Sequence, residues 1–159
     1  MGFDPNEFMS STIDAPLATA FEVCPEGEFP FMLDSDPKWL TPKELSGISQ
    51  KSGQPYHFWQ MELSALCMDE AVKAKLGRDR VPVRLRINLD LDSAGRIETG
   101  ANKSVALGRL LAALGQNRPG WNVRDLLGAG PFIGKVKHSS NKDDPTVKYA
   151  DIVNTAKVS

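Results

Sequence analysis

Tyr56 and Phe58 lie two residues apart in one run of alternating polarity, and Arg84 and Arg86 lie two residues apart in another. Two rings and two guanidinium groups so spaced can do one kind of chemistry well. The rings stack on unpaired bases while the cations neutralise phosphates. In the first run, Tyr56–Cys67, the residues Trp59, Met61, Leu63, Ala65 and Cys67 are apolar. In the second, Val81–Asp92, every odd residue is apolar and, after Pro82, every even one is polar or charged. Successive strand side chains point to opposite faces, so each run is expected to be a strand with one buried face. Pairing the two strands turns all four side chains outward on a shared surface. An arm or dimer partner laid over Tyr56 and Phe58 would instead make them ordinary interface aromatics. Arg84 and Arg86 could equally pair with Glu62 or Glu98 across the sheet, for only ~0–1 kcal/mol.

Further cations extend the candidate set. Lys38 stands beside Trp39 in the long connection Asp34–Gln54, where the indole either stacks on a base or folds back to cap the core. Lys135, Lys137, His138 and Lys148 lie on two late strands, as groove lining or as a solvated face. Other chemistry has weaker support. Gly128-Ala129-Gly130 precedes a strand and lacks the Gly-Lys-Ser/Thr ending of a phosphate loop. Asp90-x-Asp92 with Gly95 has Ala94 and Ala101 where a calcium loop needs acids, so it reads as a turn. His57 and His138 are the only histidines, with no metal-ligand spacing around them or around Cys24 and Cys67. No local nucleophile set stands out. The expectation is a protein with no catalytic residue, metal or cofactor. A nuclease would have to build on Asp90 and Asp92, the one close carboxylate pair on a strand.

The elements that must position these residues follow from the pattern. Glu28–Leu33 is expected to be a first strand, the two alternating runs the second and third, and Met68–Arg80 between them a short helix capped by Asp69 and stopped by Gly77. Asn102 opens the clearest helix, Lys103–Leu114, with Val105, Leu107, Leu110, Leu111 and Leu114 as its stripe and Gly115 as its stop. Val123–Leu127 forms a second short helix. Phe132–His138 and Thr146–Val153 form a closing hairpin around a polar loop. Three strands, a helix, then two strands is the order of an OB-fold, a five-stranded Greek-key barrel with its helix between strands three and four. The predicted class is therefore mainly β with helices, and the binding face of such a barrel lies on strands two and three.

Charge is segregated. The chain has 19 basic and 20 acidic residues, a net of −1. Residues 1–36 hold eight of the acids and no Lys or Arg, so the remaining 123 residues carry a net of +7. Residues 1–26 read as an acidic, partly ordered arm and 27–159 as the OB-like domain. The arm is expected either to compete for a polyanion groove or to be a solvated terminus. No apolar run approaches the ~18 residues of a membrane span, and no signal-like leader is present, so the chain reads as cytoplasmic.

Gly53-Gln54-Pro55-Tyr56, the acid-rich turn with Gly95, Leu107-Gly108-Arg109-Leu110, Ala113-Leu114-Gly115 and Leu127-Gly128 before a basic strand together resemble phage-encoded single-stranded-DNA-binding proteins. The similarity covers roughly Gly27 to Val153. It implies an OB-type fold, a place in DNA replication or recombination, replication or recombination proteins as further partners, and the host cytoplasm as location. A homo-oligomer stays open. Such proteins often carry an acidic C-terminal tail, whereas here the acids come first. The competing reading is an OB-like protein-interaction module, such as a phage factor that binds a host replication or defence protein.

Overall fold

The computed structural model describes residues 2–18 and 22–158. Phe21, an apolar residue of the acidic arm, and Ser159 lie outside the described residues. Six strands form one sheet: β1 (Gly27–Leu33), β2 (Lys43–Ile48), β3 (Pro55–Cys67), β4 (Pro82–Leu89), β5 (Phe132–Ser140) and β6 (Lys148–Ala156). Their order is β1-β5-β6-β4-β3-β2, and β1 pairs also with β3, so five of the six strands close into a ring. All pairings are antiparallel except β4 with β6.

Alternation explains the ring's interior. Met61, Leu63, Ala65 and Cys67 of β3 and Val83, Leu85, Ile87 and Leu89 of β4 are all buried. Phe31 and Phe132 stack inside with ring centroids 6.0 Å apart. Gly134 makes room for them, since a Cβ there would lie 2.8 Å from the Phe31 ring. Helix α3 (Val105–Leu114) covers the ring with Leu107, Leu110 and Leu111, and Gly115 stops it in the left-handed conformation. It begins two residues later than Asn102 as its opening residue predicts. Asn102 and Ser104 both take positive φ, and Val105 stays exposed. Ser104 holds the N-cap position but turns its side chain to the Asp90 backbone. Helix α2 (Glu70–Leu76) is as expected, with the Asp69 carboxylate accepting from the Val72 N–H and Gly77 ending it.

The main correction concerns the long connection. It holds a 3-10 turn, Pro37–Leu40, and a whole strand, β2. The sheet therefore has six strands instead of five, and α3 lies between the fourth and fifth. The sequence hides β2 because only Leu45 of its residues is even partly buried. What makes it a strand is its partner. β3 spans 13 residues, and its first part projects past β4 to pair with β2 from Ile48↔Pro55 to Lys43↔Gln60. The front of the arm also differs, forming a one-and-a-half-turn helix α1 (Pro5–Ser10) whose cap is Asp4.

Candidate nucleic-acid interface

Tyr56 and Phe58 lie side by side on the outward face of β3, their ring centroids 5.8 Å apart. Tyr56 is 43% exposed and Phe58 half-buried. The ring of Tyr56 lies over Gly47, its partner on β2, where any Cβ would come within 2.8 Å of the phenol oxygen. Leu45 lies opposite Phe58, and Lys43 opposite Gln60, on this same face. β2 thus supplies an apolar neighbour and a cation that the sequence reading missed, for the reason that the strand itself was missed.

Arg86 lies opposite Glu62 on β4, exposed, and has no ion pair among the described residues. Phe58 precedes Glu62 by four residues, so ring and guanidinium levels are separated by roughly 13 Å along the strand. Between them Gln60 donates to Asn88 Oδ1 at 3.0 Å. Arg84 is differently placed. Its Nε–H donates to Asp151 Oδ1 at 2.6 Å and its Nη2 to Oδ2 at 3.2 Å, with Glu62 Oε1 3.4 Å from Nε. The hydrogen bond to Asp151 raises its pKa further above the ordinary value. Tyr149, also unforeseen, packs on this guanidinium at 5.8 Å. Arg84 is therefore a structural tie between β3, β4 and β6 in which carboxylates already balance the charge.

The remaining candidates divide further. Lys137 stands opposite Asp151, and Lys148 is exposed at the start of β6, so both belong to the Arg84 end of the face. His138 is held by the arm. Its N–H donates to Glu26 Oε2 at 3.0 Å, and its Nε2 lies 2.7 Å from the Cys24 carbonyl, which fixes the ring proton on Nε2. That backbone bond holds the Glu26 carboxyl below its ordinary range, helped by the charges of His138, Lys137 and Lys148. Lys135 sits between Glu28 and Asn154, two strands from β4 around the ring and away from the aromatic pair. Trp39 packs against the core with its indole N–H buried and without a hydrogen-bond partner, and Lys38 lies 5.0 Å over its ring. Capping, not stacking, is its observed arrangement. His57 shares the parity of the buried β3 residues yet is exposed because β3 has already left the ring there, and its Nε2 lies 2.5 Å from Glu44.

The carboxylates that a nuclease would need are engaged in turns. Asp90 Oδ2 accepts from the Ser104 N–H at 2.7 Å. Asp92 Oδ1 accepts from the N–H groups of Ala94 and Arg96, and these bonds, with Arg96 foremost, lower its pKa. Among the described residues, no three His, Cys, Asp or Glu side chains gather as a metal site would require. Cys24 is buried in the core, where desolvation and then Cys67 push its pKa up to about 12. No helix among the described residues is long and apolar enough to cross a membrane.

In comparisons with known proteins, no family model, no curated protein and no solved structure matches this chain.

Proposed function

We propose that the chain binds single-stranded DNA with little sequence preference and without catalysis, from an OB-type barrel. The observation that carries this is the outward pair of Tyr56 and Phe58, flanked on the same face by Lys43 and Arg86. Aromatic faces accept any base, and the cations reward the backbone whatever its sequence. The topology supports the same reading. With β1 and β2 taken as two halves of one strand bent at the 3-10 turn, the succession becomes three strands, a helix and two strands. β3 and β4 are then the second and third strands, whose outer face such barrels use. Ser49–Gln54 and Asn141–Val147 are the two loops at its edges. By its resemblance to phage-encoded proteins of this kind, replication or recombination is the setting.

The test is fluorescence anisotropy of a labelled oligothymidine and of a duplex at 50 and 200 mM salt. Binding is expected to favour the single strand and to weaken steeply with salt. A salt-insensitive affinity, or a preference for duplex, refutes the reading. No binding at either salt would hand the aromatic pair to a protein partner instead.

A further inference from the structure

The arm's front and the far end of the ring have complementary surfaces. Every described residue from 2 to 18 is exposed, and Phe3, Phe8, Met9, Ile13 and Leu17 are between 64% and 76% exposed. Phe3 and Phe8 pair with each other, at 5.7 Å between ring centroids. The segment carries Asp4, Glu7 and Asp14 and no Lys or Arg. An acidic segment displaying five large, mostly exposed apolar side chains has the composition of a ligand, not of a solvated tail.

The matching receptor is an open groove of about 890 Å³ between the N-terminal half of α3, the loop around Arg96–Gly100 and the loop around Asn117–Asn122. Its floor is apolar, with Val105, Leu107 and Leu111 on α3, and Trp121 forms a half-buried wall. Trp121 is held there by its Nε1–H, which donates to Gln116 Oε1 at 2.9 Å. Its rim is cationic. Lys103 pairs with Glu98 and Arg96 with Asp92, but Arg109 and Arg118 have no carboxylate partner among the described residues. None of the arm's described residues lines the groove.

We infer that this groove receives the acidic, aromatic arm of a second copy of the chain. Phe3 and Phe8 enter against Trp121 and the α3 floor, and Asp4 and Glu7 face Arg109 and Arg118. A second copy is the favoured source because the chain's own arm is anchored at the opposite end of β4. Glu22, Cys24, Val81 and Pro82 lie together there, whereas the groove begins at Ser104, tied to Asp90 just past the strand's other end. That strand's length, roughly 23 Å, is within the own arm's reach, yet in the structure none of the arm's described residues lies in the groove. An arm in one place and its receptor in another join copies either by reciprocal exchange into a closed pair or head to tail into a ring or chain. This inference stands apart from the DNA-binding reading and needs no nucleic acid.

The test is sedimentation velocity of the full chain across a wide concentration range at 50 and 500 mM salt, with circular dichroism to confirm folding. The average mass is expected to rise with concentration and to fall at high salt. A Phe3→Ala/Phe8→Ala variant is expected to self-associate on the order of tenfold more weakly without change in fold, because those rings pack on nothing in the body. Gly108→Phe is the receptor-side variant. Gly108 is helical, an added Cβ meets nothing within 4 Å, and it lines the groove, so the bulky ring blocks the site without disturbing the core. A monomer at every concentration, or association that survives both variants, overturns the inference. So does Trp121 emission that responds to the Phe3/Phe8 variant independently of concentration, since that is docking within one chain.

Discussion

Arg84 and Arg86 are two residues apart on one face of one strand, yet their replacement should read out in different assays. Four cations on the outward surface have no carboxylate within ion-pair distance among the described residues: Lys43, Arg86, Lys137 and Lys148. If each neutralises one phosphate, the slope of log affinity against log salt is about −0.7 per contact on a single strand, or about −2.8 in all. A rise from 50 to 200 mM salt then weakens binding about 50-fold. Arg86→Ala should bring the slope to about −2.1 and that loss to about 20-fold, with little change in stability. Arg84→Ala should leave the slope where it was, because Asp151 and Glu62 already balance that charge. Its effect falls on the fold. Arg84 and Asp151 are mostly buried side chains, 29% and 22% exposed, and removing the donor strands two carboxylates. A cost of about 1–2 kcal/mol is reasonable for charged hydrogen bonds so placed. That is a drop of about 2–8 °C in Tm for a chain of this size. Anisotropy titrations at four salt concentrations, paired with thermal melts, separate the two variants. Equal loss of slope in both, or an unchanged slope in Arg86→Ala, refutes the division of roles.

Tyr56→Ala and Phe58→Ala should each weaken oligothymidine binding by ~1–3 kcal/mol while leaving the salt slope intact, since stacking releases no counterions. Loss of slope in either variant would show that the strand pair itself had come apart. Gly134→Ala should destabilise the fold by about 1–3 kcal/mol, measured by urea unfolding, because the new methyl meets the Phe31 ring inside a packed core. Glu26→Gln should tighten DNA binding about two- to fivefold at pH 7, by removing a negative charge beside Lys137 and Lys148. The Glu26 carboxyl is held below its ordinary value of 4.5, so its charge and the hydrogen bond it accepts persist above that pH and are lost as pH falls through the lowered value. The difference between Glu26→Gln and the unaltered chain should therefore persist at pH 4.5 and close only as pH falls through the lowered value. A gap that widens on acidification reverses the sign of this reasoning.

What could be read from sequence was whatever leaves a periodic trace. β3 and β4 announce themselves because one side of each fills the ring, and α2 and α3 because Gly77 and Gly115 stop an apolar stripe. β2 leaves none. Its residues are held by β3's backbone and by the Tyr56 ring over Gly47, not by burial, so Lys43–Ile48 looks like loop until its partner is seen. Face parity placed Tyr56, Phe58 and Arg86 outward together, but parity cannot tell a free cation from a paired one. The ion pair of Arg84 depends on Asp151, 67 residues away, and the hold on His138 on Cys24, 114 residues away. Nothing local encodes either. The same limit applies to Trp39, whose role is decided by what packs above it.

The acidic leader has two parts with different physics. Glu22 to Glu26 belongs to the folded body. Arg78 donates to the Glu22 carbonyl at 2.8 Å, Cys24 is buried in the core, and Glu26 accepts from His138. Its charges therefore act at a fixed distance on the Lys137 and Lys148 end of the outward face, as a constant bias on any polyanion that approaches there. Residues 2 to 18 make no hydrogen bond to the body among the described residues and expose their apolar side chains to water. A tether of that kind acts through effective concentration, and its strength depends on which basic surface lies within reach. Composition alone merges the two into one acidic stretch. Burial of a single thiol, Cys24, is what separates a fixed electrostatic boundary from an exposed segment, so a deletion that stops before it spares the core and one that passes it removes a core side chain.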